Sequence, residues 1–329
     1  MRLSQCGLIV IALLATTTAA QELADPVVLT IDLENDTVYR GDTSDFTKLG
    51  TLPGPTTALS RSFQMGVNIG DIRAVNGQPA KGLWVRTFNP AGQWLAAPSP
   101  GQFIADMTAA PVGQCVFNLL TADGTWIGSL FDIHQEPPSA GHILIGGGGA
   151  FLGVTGEHRM EGVAFGRPAA SQSEDPSMRR INGGGKDRAR FVLYPRTRPA
   201  VQVTANGPAI THQDYVPVTA ANPARPGELL IIAATGLGAV KPNLDPPGSI
   251  VFSGPPYQEV NSPVSVVFNG TELPVKNKFG WPGQKNVYWV DFQVPSDAPS
   301  GVSTLQLIAA WIPGPTVTLP VMALPIGAQ

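Results

Sequence analysis

The stretch Ile143-Leu144-Ile145-Gly146-Gly147-Gly148-Gly149-Ala150-Phe151-Leu152-Gly153-Val154-Thr155-Gly156 decides how this chain is read. Four consecutive glycines between apolar runs permit φ > 0 and close approach of another backbone, so the segment reads as strand, glycine bend, strand. A phosphate cradle needs a helix opening behind the glycines and either a GK[ST] ending or a downstream acid. Gly147, Gly149 and Gly153 match a loose dinucleotide spacing, but Val154-Thr155-Gly156-Glu157 is no helix start. The glycines are therefore expected to form an architectural corner with at least one φ > 0 residue, and no cofactor is expected.

Strand-like runs extend outward from this corner: residues 27–33 (VVLTIDL), 61–69, 83–88, 115–121, 125–134, 143–145, 150–154, 159–165 and 189–194. Ala122-Asp123-Gly124 is a hairpin signal, because Asp-Gly readily supplies φ > 0. About eight strands at this spacing suit an antiparallel up-and-down barrel, which closes on itself and leaves no exposed edge. Residues 34–45 read as a polar turn. Its acids Glu34, Asp36, Asp42 and Asp45 lack the DxDxDG order of a calcium loop. Residues 166–188 are polar, charged and poor in large apolar side chains, which reads as a mobile loop, with a lid over the barrel mouth as the functional alternative.

The 37 glycines and 32 prolines among 329 residues argue for an all-β protein with many turns. A formal net charge of −3 gives no electrostatic footprint for nucleic acid. Residues 1–20 have a positive start (Arg2), an apolar run and the small residues Thr18-Ala19-Ala20, the pattern of a cleaved secretory signal. The apolar run is too short to span a bilayer, and no transmembrane segment is expected. Localisation is expected to be secreted, periplasmic or cell-surface. Cleavage would leave Cys115 as a single cysteine, read as a small buried hydrophobe.

The glycine segment resembles the GGTGxF-type signature of the allene oxide cyclase/dirigent barrel superfamily. The order of pieces over residues 27–195 fits that family as well: a long first strand, a central hairpin, and a glycine corner before the last pair. Residues 196–207 read as a linker. Residues 208–329 resemble an uncharacterised bacterial C-terminal module akin to immunoglobulin-like (IPT/TIG-like) β-sandwiches. That likeness rests on Pro208-Ala209-Ile210-Thr211-His212, the run from Ala221 to Glu228, Ala234-Thr235-Gly236-Leu237-Gly238, and the turn Gly280-Trp281-Pro282-Gly283. The expected fold is thus an all-β chain, a β-barrel followed by an immunoglobulin-like β-sandwich.

Candidate chemistry is sought on the barrel walls, where residues i and i+2 share a face. Trp84, Arg86 and Phe88 share one face, and Trp126, Leu130, Asp132 and His134 share another, opposite Ile127, Phe131 and Ile133. Glu157, Arg159 and Glu161 share a third. Two assignments stay open. In one, charged residues point outward; in the other, Arg86, Asp132 and Arg159 line an apolar cavity as candidate catalytic groups, with Trp84, Phe88 and His134 as further ligand contacts. His134 and Glu136 lack the clustered partners of a metal site, and no metal is expected. The superfamily resemblance implies that a small apolar ligand is folded into one conformation for stereospecific cyclisation or coupling. Asp132 would then move a proton and Arg86 would stabilise negative charge. The non-enzymatic reading makes the barrel a binding or scaffold domain, with the sandwich contacting a protein or cell-surface partner. Trp281, Tyr257 and Trp311 are the aromatics that could grip a sugar.

Overall fold

Alternation of apolar and polar residues drives nine strands in the first half. They are β1 (Val27–Arg40), β2 (Gly66–Val75), β3 (Gln78–Phe88), β4 (Val112–Leu120), β5 (Trp126–Gln135), β6 (His142–Gly149), β7 (Thr155–Met160), the short β8 (Ala170–Ser171) and β9 (Gly185–Tyr194). The computed structural model describes residues 25–40, 66–88, 112–135, 142–162, 170–171, 174–241 and 249–322. The expected signal segment, Asp42, Asp45 and Glu136 lie outside these. β1 to β7 and β9 pair in antiparallel order, and β1 closes the ring by pairing with both β9 and β2. The result is a closed eight-stranded antiparallel barrel.

Two boundaries differ from the sequence reading. β1 continues through the expected polar turn, using irregularities between Asp32 and Leu33 and between Glu34 and Thr37, with Asn35 at φ 54°. Such bulges turn extra residues toward one face, and here they bury Asp36 and Thr37. β9 starts at Gly185, inside the segment expected to be a mobile loop. A 3₁₀ turn (Pro176–Met178) and a short helix (Arg179–Asn182) precede it. Residues 176–182 are tied down: Arg179 is buried and pairs with Asp71, and Arg180 reaches the same carboxylate at 2.7 Å. Burial alone would raise the Asp71 carboxyl. Hydrogen bonds from Arg180, Asn35 and Arg179 outweigh that and hold it below its ordinary value.

The glycine run also does something different from a bend. Residues 146–149 stay in β6, paired with Phe131, Leu130, Ser129 and Gly128, and the chain turns at residues 150–153. Only Gly149 of the four has φ > 0, at 61°. Gly147 matters for space: a Cβ there would lie 2.8 Å from both the Phe151 Cβ and the Ser129 oxygen. The glycines thin the wall so that Phe151 folds in and is fully buried.

The second half begins at Ala200, inside the expected linker. Its strands are β10 (Ala200–Val201), β11 (Val203–Thr204), β12 (Gly207–Pro208), β13 (Ile210–Thr211), β14 (Leu229–Thr235), β15 (Val264–Phe268), β16 (Thr271–Pro274), β17 (Asn277–Gly280), β18 (Tyr288–Gln293), β19 (Gly301–Ala309) and β20 (Ile312–Val321). β10, β13, β14, β18 and β17 make one sheet; β16, β15, β19 and β20 make another; β11 and β12 form a separate pair. Ile232, Val290 and Phe292 of the first sheet share a core with Val266, Phe268, Leu305 and Leu307 of the second. Among the described residues no helix is long and apolar enough to cross a membrane.

The turn joining β19 to β20 meets the barrel. Ala310 and Ile312 are buried in the barrel's core cluster, and Trp311 packs against it while its Nε1 donates to Gln78 Oε1 at 3.1 Å. Lys241 pairs with Asp123 of the β4–β5 turn at 3.2 Å. All these contacts fall at the end of the barrel that holds the β2–β3, β4–β5 and β6–β7 turns. The candidate site occupies the opposite end.

Candidate functional site

The barrel interior is divided along its axis. Toward the end met by the second half it is filled by Leu29, Ile31, Leu119, Ile127, Leu130 and Phe151, each essentially inaccessible. Next comes an aromatic floor: Phe117 meets Trp84 at 5.9 Å and Phe191 at 4.9 Å between ring centroids. Beyond it the inner wall turns polar. Cross-strand pairing sets Asn68 beside Arg86, Arg86 beside Cys115, and Cys115 beside Asp132, then His142 beside His158. Each strand contributes one such residue at nearly the same height.

Cys115, Asp132, His142 and His158 converge, with exposures of 1, 1, 3 and 0%. One potential ligand atom from each lies within 4.8 Å of the other three. Asp132 sits between the imidazoles, its Oδ1 3.4 Å from His142 Nδ1 and its Oδ2 3.1 Å from His158 Nδ1. The two rings are 4.2 Å apart, and His158 also stacks on Phe191 at 4.9 Å. These contacts leave the imidazoles little freedom to rotate.

Electrostatics bind the neighbourhood together. Burial pushes the Cys115 thiol well above its ordinary value; nearby Asp132 adds to this and Arg86 opposes it. Burial lowers the Arg86 guanidinium, countered by Cys115, Asp132 and Asp36. Asp36 is only 2% exposed, and burial with the nearby Asp187 charge pushes it up to about 7 against the pull of Arg86 and the Thr37 N–H. Asp187 is also raised by burial, partly offset by the N–H groups of Gly162 and Arg188, which donate to its Oδ1 at 2.9 and 2.7 Å. At neutral pH the Cys115 thiol is therefore protonated, which makes it a poor nucleophile as it stands.

The sequence candidates divide accordingly. Trp84, Arg86 and Asp132 lie on the inner wall, in register with Phe117, Cys115 and Cys115 respectively. Trp84 is part of the packed floor. Arg159 does not face inward: its side chain is 71% exposed beside Glu157, because in β7 the inward position of the two-residue alternation belongs to His158. The side chains of Phe88 and His134 lie outside the described residues. Sequence reasoning missed Cys115 as a site residue, and also His142, His158, Asp36 and Asp187. One signal was present: Phe131, Ile133 and Ile143 are exposed while Asp132, between the first two, and His142, just before the third, are buried, an inverted pattern along β5 and at the start of β6. The fourth histidine, His212, belongs to the second half and pairs with Glu228 at 2.7 Å.

The remaining aromatic candidates also separate. Tyr257 and Trp281 belong to a row of rings in which Tyr257 stacks on Phe279 at 4.6 Å, Phe279 meets Trp289 at 5.3 Å and Trp281 meets Trp289 at 4.9 Å. Trp311 is occupied by the barrel. Comparison of the chain with models of protein families, with curated proteins and with solved structures finds no match.

Proposed function

We propose that this chain is an exported two-part β protein that binds a ligand instead of transforming one. In this reading the ligand sits at the polar end of the barrel lumen, in a barrel of the allene oxide cyclase/dirigent type. The second half is an immunoglobulin-like β-sandwich that contacts a protein or surface. The observation that carries the reading is the inward placement of Arg86, Cys115, Asp132, His142 and His158 at one end of a barrel whose other end is packed with apolar side chains. Burying such groups costs several kcal/mol per charge that apolar residues of similar size would not incur. Apolar residues of similar volume would fill the same space at lower cost, so a binding role is the economical account. The sandwich assignment is supported by the core shared between the two sheets, where Phe268 meets Phe292 at 5.9 Å.

The filled floor argues against a sizeable apolar substrate, which revises the ligand toward a small polar one. The enzymatic alternative, cyclisation or coupling of an apolar substrate, draws on Arg86 and Asp132 sharing the wall, but it needs space that Trp84, Phe117 and Phe191 occupy. A specific observation supports surface contact by the second half: Tyr257, at the end of the row Tyr257, Phe279, Trp289 and Trp281, is 54% exposed and the other three rings are half-buried, a partly accessible aromatic row for a partner such as a sugar.

Native mass spectrometry of protein recovered from its own exported fraction tests the binding reading, together with Asp132→Asn and Arg86→Met. A bound species present in wild type and lost in both variants, each shown by circular dichroism to remain folded, is the expected result. A purely structural cluster would yield no bound species and a sharp loss of stability in both. N-terminal sequencing of the same material should begin near Gln21, and an intact Met1 would refute export by a cleaved signal.

A further inference from the structure

The convergence of Cys115, Asp132, His142 and His158 carries a more definite ligand than the general reading of a binding barrel, on which it rests. We propose that these four side chains form a tetrahedral site for a zinc-class divalent transition metal ion. Thiolate, imidazole and carboxylate are the donors that zinc takes, and two imidazoles with one thiolate favour it over calcium or magnesium, which prefer all-oxygen shells.

Distances fit this assignment. Metal–ligand bonds of about 2.0–2.3 Å give ligand–ligand edges of about 3.3–3.7 Å in a tetrahedron. His142 Nδ1 lies 3.4 Å from Asp132 Oδ1, one edge of that length, while His158 Nδ1 lies 3.1 Å from the other carboxylate oxygen, Oδ2, so either oxygen of Asp132 is within reach of a shared ion. With all four atoms within 4.8 Å of one another, a central ion requires each to move inward by no more than about 0.9 Å. The ligands sit on four consecutive strands, β4 to β7, whose pairing holds Cys115 against Asp132 and His142 against His158. A rigid sheet is a more exact platform than a loop for such a set.

Charge also balances. Binding displaces the Cys115 proton, so thiolate and Asp132 carboxylate together neutralise the dication, and the proton leaves to solvent. Arg86, beside Cys115 in the register, stabilises the thiolate without being a ligand. Trp84, Phe117 and Phe191 close the site from below and keep water from competing.

Cobalt(II) tests the proposal in the full-length chain. The protein is stripped with chelator, dialysed and titrated with Co²⁺, then with Zn²⁺. The expected result is one equivalent bound, intense visible d–d bands of a tetrahedral ion, a thiolate-to-cobalt charge-transfer band, and loss of both on adding Zn²⁺. Cys115→Ala should lose the charge-transfer band, and His158→Gln should lose binding, with circular dichroism checking that each remains folded. Where a variant fails to fold, the wild-type spectrum decides alone, because the charge-transfer band requires a thiolate and Cys6 is the only other cysteine in the chain. Cys6→Ser must leave the band intact. Absence of the band and of any Zn²⁺-dependent rise in melting temperature in folded wild-type protein overturns the metal assignment. So does cobalt binding that survives in folded Cys115→Ala and His158→Gln. If, with either result, native mass spectrometry still shows an organic ligand lost in Asp132→Asn, the binding barrel stands and only its metal is refuted.

Discussion

Asp36→Asn should make the protein more stable, and the gain should depend on pH in a defined way. Asp36 is buried on the inner wall and one carboxylate oxygen, Oδ1, has no hydrogen-bond partner among the described residues. Its carboxyl is raised from 3.8 to about 7 by burial and by Asp187, against Arg86 and the Thr37 N–H. The folded state therefore holds the Asp36 proton more tightly than the unfolded chain does. The resulting stability is complete below pH 3.8 and is lost as pH rises through about 7. At about 1.4 kcal/mol per pH unit, the gap between 3.8 and about 7 amounts to about 4 kcal/mol. Asparagine keeps the shape and cannot ionise. The stability of Asp36→Asn minus that of wild type should thus climb by about 4 kcal/mol between pH 4 and pH 8. Any fixed cost of burying the amide shifts the whole curve without changing its rise. Urea denaturation of both proteins at half-unit pH steps measures the difference directly, and titrations common to the two cancel. A difference that stays flat from pH 4 to pH 8 would refute the buried-carboxyl argument. Asp187→Asn in the same series should reduce the rise, since Asp187 supplies part of the shift.

Three further outcomes follow from packing. Gly147→Val should cost more than about 3 kcal/mol, because its side chain meets Phe151 and the Ser129 backbone, whereas Gly148→Val has Trp126 ring atoms no nearer than 3.5 Å and should be tolerated; equal melting temperatures would dissolve the thin-wall account. Arg179→Ala should destabilise by about 3–5 kcal/mol and open residues 174–184 to protease, while Arg180→Ala, on the exposed side of Asp71, should cost about 1 kcal/mol or less; matched losses would show that burial does not set the difference. Trp311→Ala should split calorimetric unfolding into two transitions by loosening the second half from the barrel, and a single transition at unchanged temperature would mean that this contact does not couple them.

The sequence by itself determined the all-β character and most of the barrel strands. Hairpin glycines and period-2 alternation are local properties, visible at residues 115–121 or 189–194 without knowing any partner strand. It also placed Arg86 and Asp132 on the correct faces as one of two open choices. What it could not supply was the choice itself. Alternation fixes which residues share a face, but closure decides which face is inside, and in β7 that put His158 inward and Arg159 in solvent. Bulges in β1 were equally invisible, since an extra residue that buries Asp36 leaves no trace in composition. The Cys115–Asp132–His142–His158 cluster belongs wholly to tertiary structure. Its members are separated along the chain by whole strands and turns, so no short ligand spacing exists to be read. They meet only because four neighbouring strands pair in register and bring one side chain each to the same height of the lumen.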